Sequence, residues 1–175
     1  TSSAASDVYK RQASTDLLGK AELHKFPAFT PTITNVRPTS RGTIEIKSSD
    51  TRIYPKIKMN YLSTYEDREI AAKSIKIVRQ IVLESKAYNK YQPKEYRPGI
   101  EFKDNESLAR EAGKFANTIF HPVSTCRMGN DENSVVNDNL KVKGIHNLRV
   151  VDASVMPTIT SGNTNACLLY TSDAA

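Results

Sequence analysis

Apolar and polar positions in the middle of the chain follow two different periods. In TIEIKS (Thr43–Ser48), Ile44 and Ile46 alternate with Glu45 and Lys47, which predicts a half-buried strand. IYPKIKMNYL (Ile53–Leu62) also alternates, but Pro55 lacks an N–H and demotes it to an edge or irregular extended segment. RPTSRG (Arg37–Gly42) before them is a turn by composition, and FPAFTPTITN (Phe26–Asn35) reads as an irregular entry with one strand at most. The spacing then lengthens. Ile70, Ala71, Ile75, Val78 and Val82 recur near helical intervals, and Ile77 and Ile81 widen the apolar stripe. This predicts a helix from about Thr64 to Glu84, opened by a capping box at Ser63 and Glu66. YQPKEYRPG (Tyr91–Gly99) breaks any regular element. Asn105 is placed to cap a second helix, through about Phe115, with Leu108, Ala112 and Phe115 on one face. Two short apolar runs follow, LKVKGI and NLRVVDASVM, with a turn at His146–Asn147 between them. Helices and strands mixed without regular alternation predict an α+β fold.

Composition narrows the class without changing this picture. The 175 residues are 38% hydrophobic and 25% charged, with 7 Gly and 8 Pro, which suits a globular fold and excludes collagen-like and low-complexity chains. No apolar run approaches the ~18 residues of a membrane-spanning helix. The net charge is +6, yet Lys and Arg are scattered, which argues against a nucleic-acid partner. The basic helix REIAAKSIKIVRQ suits a solvated face over a core stripe, or a helix lying on a membrane surface.

One short duplex, read in opposite orientations, accounts for both ends of the chain. DVYKRQ (Asp7–Gln12) can be encoded by GAT GTG TAT AAG AGA CAG. The opposite strand, one frame over, reads CLLYTS, which is Cys167–Ser172. Both peptides also resemble translated sequencing adaptors. The expected organisation is therefore an adaptor-derived tail at 1–12, native sequence at 13–166, and a second tail at 167–175. Two cations (Lys10, Arg11) and two anions (Asp7, Asp173) fall in the tails, so the net charge survives their removal. Cys126 is then the one native cysteine.

Chemistry concentrates in HPVSTCRMG (His121–Gly129), NLRVVDASVMP (Asn147–Pro157) and TSGNTNA (Thr160–Ala166). His121 follows apolar TIF and precedes Pro122, so it ends an element. By itself it suits a hydrogen-bonded structural role as well as that of a proton acceptor near neutral pH. LRVVD reads as a buried strand ending in a carboxylate, the place where α/β folds approach a cofactor. SGNTNA is a loop of small polar residues whose amides suit a phosphate or ring, or an ordinary turn. Cys126 beside Arg127 reads as a low-pKa thiol or as a buried structural cysteine. The spacings of His121, Cys126 and His146 match no zinc template, so no metal is expected.

Order and spacing together change the weight of these motifs. The run from His121 to Ala166 resembles the C-terminal part of the glucose–methanol–choline family of flavin oxidoreductases, whose typical text is HPVGTC(K/R)MG, then GVVD with RLRVxG, then LRVVDASxMP and SGNTNA. This chain has HPVSTCRMG, SVVNDNLKVKGI, LRVVDASVMP and SGNTNA in the same order. Upstream, RPTSRGTIEIKSSD, YPKIKMNYLS and EYRPG resemble the bacterial choline-dehydrogenase-like branch. The resemblance implies an antiparallel substrate-domain sheet with helices over 13–120. A segment over 121–166 then returns to an FAD-binding α/β domain with its last strand and active-site loop. It implies His121 as the base that accepts an alcohol proton, and Asn163 as the second active-site residue, bonded to the substrate oxygen. Asp152 and Ala153 would lie along the FAD diphosphate and ribityl chain, with Thr164 and Asn165 beside the ring. The expected partners are a small alcohol related to choline and an electron acceptor such as oxygen or a quinone, with the oligomeric state left open. The expected location is cytoplasmic or membrane-associated in a bacterium. Two positions depart from the pattern: Ser124 stands for the usual Gly, and Asn137 for the usual Asp. The Gly-rich loop that would hold the ADP end, G-x-G-x-x-G, is nowhere in the sequence. A non-redox flavin lyase of the same fold, or a binding module lacking the cofactor site, remain as alternatives.

Overall fold

The computed structural model describes residues 24–165 and 167–168. The expected N-terminal tail lies outside these residues, as do positions 169–175 of the C-terminal one.

Helix α1 spans Tyr65–Arg79. Its N-cap is Thr64, whose hydroxyl accepts from the Asp67 N–H at 3.3 Å. The expected Ser63 cap is displaced by one residue: Thr64 takes the extended cap conformation, and the Ser63 N–H donates to the Ser40 hydroxyl (3.0 Å). Glu66 and Asp67 in the first turn and Lys76 and Arg79 in the last complement the helix dipole. A wider π turn, Gln80–Glu84, continues the helix to the predicted end. There Ser85 becomes extended and donates its hydroxyl to the Ile81 carbonyl (2.6 Å). Helix α2 spans Asn105–Phe115, capped by Asp104, whose carboxylate accepts from the Ser107 N–H at 2.8 Å. Asn105, the expected cap, instead ties the helices together, accepting from Lys76 (2.5 Å) and donating to Glu69 (2.8 Å).

The two helices pack against each other with Ala72 on α1 and Leu108, Ala109 and Ala112 on α2 buried. Small residues bring the axes close, and Leu108 fills the gap. The stripe on α1 is narrower than expected. Ile70, Ile77 and Ile81 are exposed, since one short partner helix covers only one side of α1.

Two short strands, β1 (Thr43–Glu45) and β2 (Lys56–Lys58), pair antiparallel with Ile44 opposite Ile57. Pro55 stands just before β2, as its missing N–H requires. Gly42 precedes β1 because a Cβ there would sit 2.2 Å from the Lys58 carbonyl oxygen. The half-buried face expected for this segment is in fact exposed, Ile46 at 90%, because no described layer covers the hairpin. The α+β class holds as helices beside a small antiparallel sheet.

Two charged side chains organise the loops. Asp67 is 4% exposed and accepts from Asn35 Nδ2 (3.1 Å) and the Thr39 and Ser40 N–H groups (2.9 Å each), which fixes the RPTS turn on α1. Arg79 pairs bidentately with Glu95 (2.8 Å twice) and donates to the carbonyls of Gly99 and Phe102. That pair, nine-tenths buried, anchors the EYRPG loop to the end of α1.

Candidate functional site

The C-terminal part is built as a mesh of backbone hydrogen bonds around a small core. Val136, Leu140 and Val155 are buried, with Met128, Val142 and Val150 packed around them. The stretch 126–129 is held on both sides. Cys126 N–H donates to the Ser154 carbonyl (3.0 Å) and Met128 N–H to Val155 (2.9 Å), while Val135 N–H donates back to Arg127 (2.8 Å). Gly129 is small because a Cβ would stand 3.0 Å from the Asp131 carboxylate. Arg127 forms a fork with that carboxylate (2.7 and 2.8 Å), which holds the Asp131 acid well below the usual carboxylate range. Lys143 adds a short hydrogen bond to Ser134. The predicted turn at His146–Asn147 is present, with Asn147 left-handed (φ 59°). The strand expected at LRVVD is not. It contributes one bridge, Lys141 to Arg149, and Val151 is 41% exposed, since no parallel neighbour pairs with it among the described residues.

At one end of the mesh lies His121. Phe120 before it is left-handed (φ 63°) and Pro122 after it restrains it to extended backbone, so the local chain aims the ring. The imidazole is half-buried, and its Nδ1 lies 3.1 Å from Oγ1 of Thr164. Thr164 is 5% exposed, and its carbonyl accepts from the Leu168 N–H (3.0 Å), opening a helical turn. Cys167 and Leu168, the first positions of the expected second tail, belong to this turn.

The structure thus brings together His121 and Thr164, 43 residues apart in sequence. Asn163, next to Thr164, is half-buried, and Asn165 is exposed. The loop before them turns at left-handed Ser161 (φ 59°), and Gly162 faces open space. Asp152 is exposed and caps the 3-10 turn Ala153–Val155, its carboxylate accepting from the Ser154 N–H at 2.7 Å. Ser154 Oγ is buried with no hydrogen-bond partner among the described residues. The hydrogen bond of His121 runs to Thr164 and that of Asp152 to Ser154, so the two are not joined directly. Thr164, expected at the ring, turns its hydroxyl toward His121.

Ser124 has a role that the sequence alone does not reveal. Its φ of 75° lies where glycine is favoured, and its hydroxyl lies 2.8 Å from the carbonyls of both Met156 and Pro157. The signal was the serine in a glycine position. Asn137 is likewise a turn former, its side-chain oxygen accepting from the Asn139 and Lys141 N–H groups (3.0 Å each), as an aspartate would. Cys126 is half-buried and His146 exposed. Among the described residues no group of three His, Cys, Asp or Glu side chains is placed to hold a metal, and no helix is long and apolar enough to cross a membrane. An apolar cleft lined by Leu83, Pro93, Lys94, Glu95 and Ile100 includes none of the six expected site residues.

Residues 38–171 match the family model described as GMC oxidoreductase. The chain is 45% identical over 132 residues to an oxygen-dependent choline dehydrogenase of Citrobacter koseri, and 41% to that of Pseudomonas savastanoi. Each match covers 75% of this chain and 24% or 23% of the relative, so the chain spans about a quarter of their length. Among solved structures, pyridoxine 4-oxidase from Mesorbium loti superposes with a TM-score of 0.73 at 32% identity, covering 79% of this chain and 27% of the oxidase. An FAD-dependent oxidoreductase from Chaetomium thermophilum gives 0.74 at 25%, covering 79% and 24%.

Proposed function

Because the chain belongs to the GMC oxidoreductase family, we propose that it is the C-terminal part of an FAD-dependent enzyme that oxidises a small primary alcohol, choline-like in chemistry, to the aldehyde. Within it, residues 13–120 form part of the substrate domain, residues 121–166 carry the active-site segment, and 1–12 and 167–175 are foreign tails. One observation carries the reading: the half-buried imidazole of His121 is tied to Thr164 in the loop that also presents Asn163.

The residues present fit one side of a flavin site. Asp152 and Ala153 open a short turn next to Ser154 Oγ, a buried polar atom without a partner among the described residues, and Gly162 leaves the SGNTN loop open to a flat group. Asp152 and Ala153 would hold the diphosphate–ribityl edge, and Asn165 would lie beside the ring. Bound FAD supplies the two-electron acceptor for the hydride leaving the alcohol carbon. This chain supplies the proton chemistry. His121 takes the hydroxyl proton, and Asn163 hydrogen-bonds the oxygen as its charge grows. Both act on the one oxygen, so its orientation and its proton loss are set together. The expected external acceptor is oxygen, which is the one named for the oxygen-dependent choline dehydrogenases this chain resembles.

The test is anaerobic addition of choline or a simple primary alcohol to the complete flavoprotein carrying this segment. The flavin absorbance is expected to bleach. A flavin that stays oxidised with every primary alcohol would contradict the reading and favour non-redox chemistry.

A further inference from the structure

We propose that Thr164 is a positioning residue that holds His121 in its Nδ1–H tautomer and leaves the lone pair on Nε2. The proposal rests on His121 being the proton acceptor. A neutral imidazole has one donor and one acceptor nitrogen, and the partner of one sets the role of the other. Thr164 Oγ1, 3.1 Å from Nδ1 and shielded from water, is the hydrogen-bond partner of this ring nitrogen. If the hydroxyl donated to Nδ1, Nε2 would carry the proton and His121 would have no lone pair for an alcohol. With Nδ1–H donating to Oγ1, Nε2 is the acceptor and faces the side not taken by Thr164. When the alcohol O–H bond breaks, its proton forms the new bond at Nε2, and the resulting imidazolium keeps its Nδ1–H bond to Oγ1. Thr164 is suited to this because it is 5% exposed, so its hydroxyl meets the ring where water does not compete.

Two readouts test this. The first is the long-range 1H–15N imidazole spectrum of the 15N-labelled 175-residue chain at about pH 8.5, where an ordinary imidazole is neutral. His24→Gln and His146→Gln variants assign the His121 signals. The expected result is the Nδ1–H pattern for His121, kept in Thr164→Ser and shifted toward Nε2–H in Thr164→Val, which has the shape of threonine without its hydroxyl. An Nε2–H pattern in the unaltered chain, or an Nδ1–H pattern unchanged in Thr164→Val, overturns the proposal. The second is flavin reduction in the complete enzyme. Thr164→Val should slow it roughly 10- to 100-fold at saturating alcohol with little change in the half-saturating concentration, and Thr164→Ser should restore it. Full-speed reduction in Thr164→Val overturns the proposal. Should His121→Ala reduce its flavin at the normal rate, the proton-acceptor reading itself fails, whatever the tautomer spectrum shows.

Discussion

At the scale of single residues, Ser124 shows how a departure from a family pattern is absorbed. A non-glycine residue at φ 75° carries a backbone cost of about 1–2 kcal/mol. The hydroxyl shared between the Met156 and Pro157 carbonyls returns about 1 kcal/mol and joins the His121 turn to the stretch after the 3-10 turn. Ser124→Gly removes cost and gain together and should change stability by less than about 1 kcal/mol. Ser124→Ala keeps the strain and loses the bond, so it should destabilise by about 1–2 kcal/mol. Urea unfolding of the two variants checks the difference, and an alanine variant as stable as the glycine variant would contradict this account of the turn.

At the scale of elements, the fold depends on buried charges that fasten loops to α1. Burial pushes the Asp67 carboxyl up, but hydrogen bonds from Ser40 and Thr39 outweigh it and hold the acid below its ordinary value. The Arg79 hydrogen bonds lower the Glu95 acid in the same sense, against its burial. A carboxyl lowered by folding contributes stability that is complete above its unfolded value, about 4, and is lost as pH falls through the lowered folded value. Stability should therefore decline on acidification from about pH 5 downward. Asp67→Asn should reduce that slope and cost about 1–3 kcal/mol at neutral pH, because one backbone donor loses its acceptor. Denaturant midpoints measured across the acid range check both, and an unaltered slope in the variant would contradict the role given to Asp67. The helices themselves were legible in the sequence, since apolar spacing marks a helix whatever it packs against. Their caps were off by one, because Ser63 and Thr64, like Asp104 and Asn105, are adjacent residues that both suit a cap, and loop contacts decide between them. Burial was the least legible. Ile44, Ile46, Ile77 and Ile81 have the pattern of inward residues, and pattern alone does not say what layer lies opposite.

At the scale of the whole molecule, two small cores divide the work. The α1–α2 pair with its anchored loops forms one part, and the mesh around Val136, Leu140 and Val155 carries the candidate site. Arg37, in the turn fastened by Asp67, reaches Thr158 just past that mesh (3.4 Å). The site was legible as three ordered motifs, but its geometry was not. Nothing in the letters of TSGNTNA says that Thr164 turns to His121, 43 residues away, because that contact arises from the left-handed backbone at Phe120 and Ser161. The proposed chemistry depends above all on His121 taking the substrate proton. Stopped-flow anaerobic flavin reduction in the complete enzyme tests it most directly, since reoxidation cannot mask the step. His121→Ala should slow reduction about 10²- to 10⁴-fold with FAD still bound, and Asn163→Ala roughly 10- to 100-fold. The exposed His146 is the internal control, and His146→Ala should leave the rate nearly unchanged. If His146→Ala slowed flavin reduction as much as His121→Ala, the claim would be contradicted.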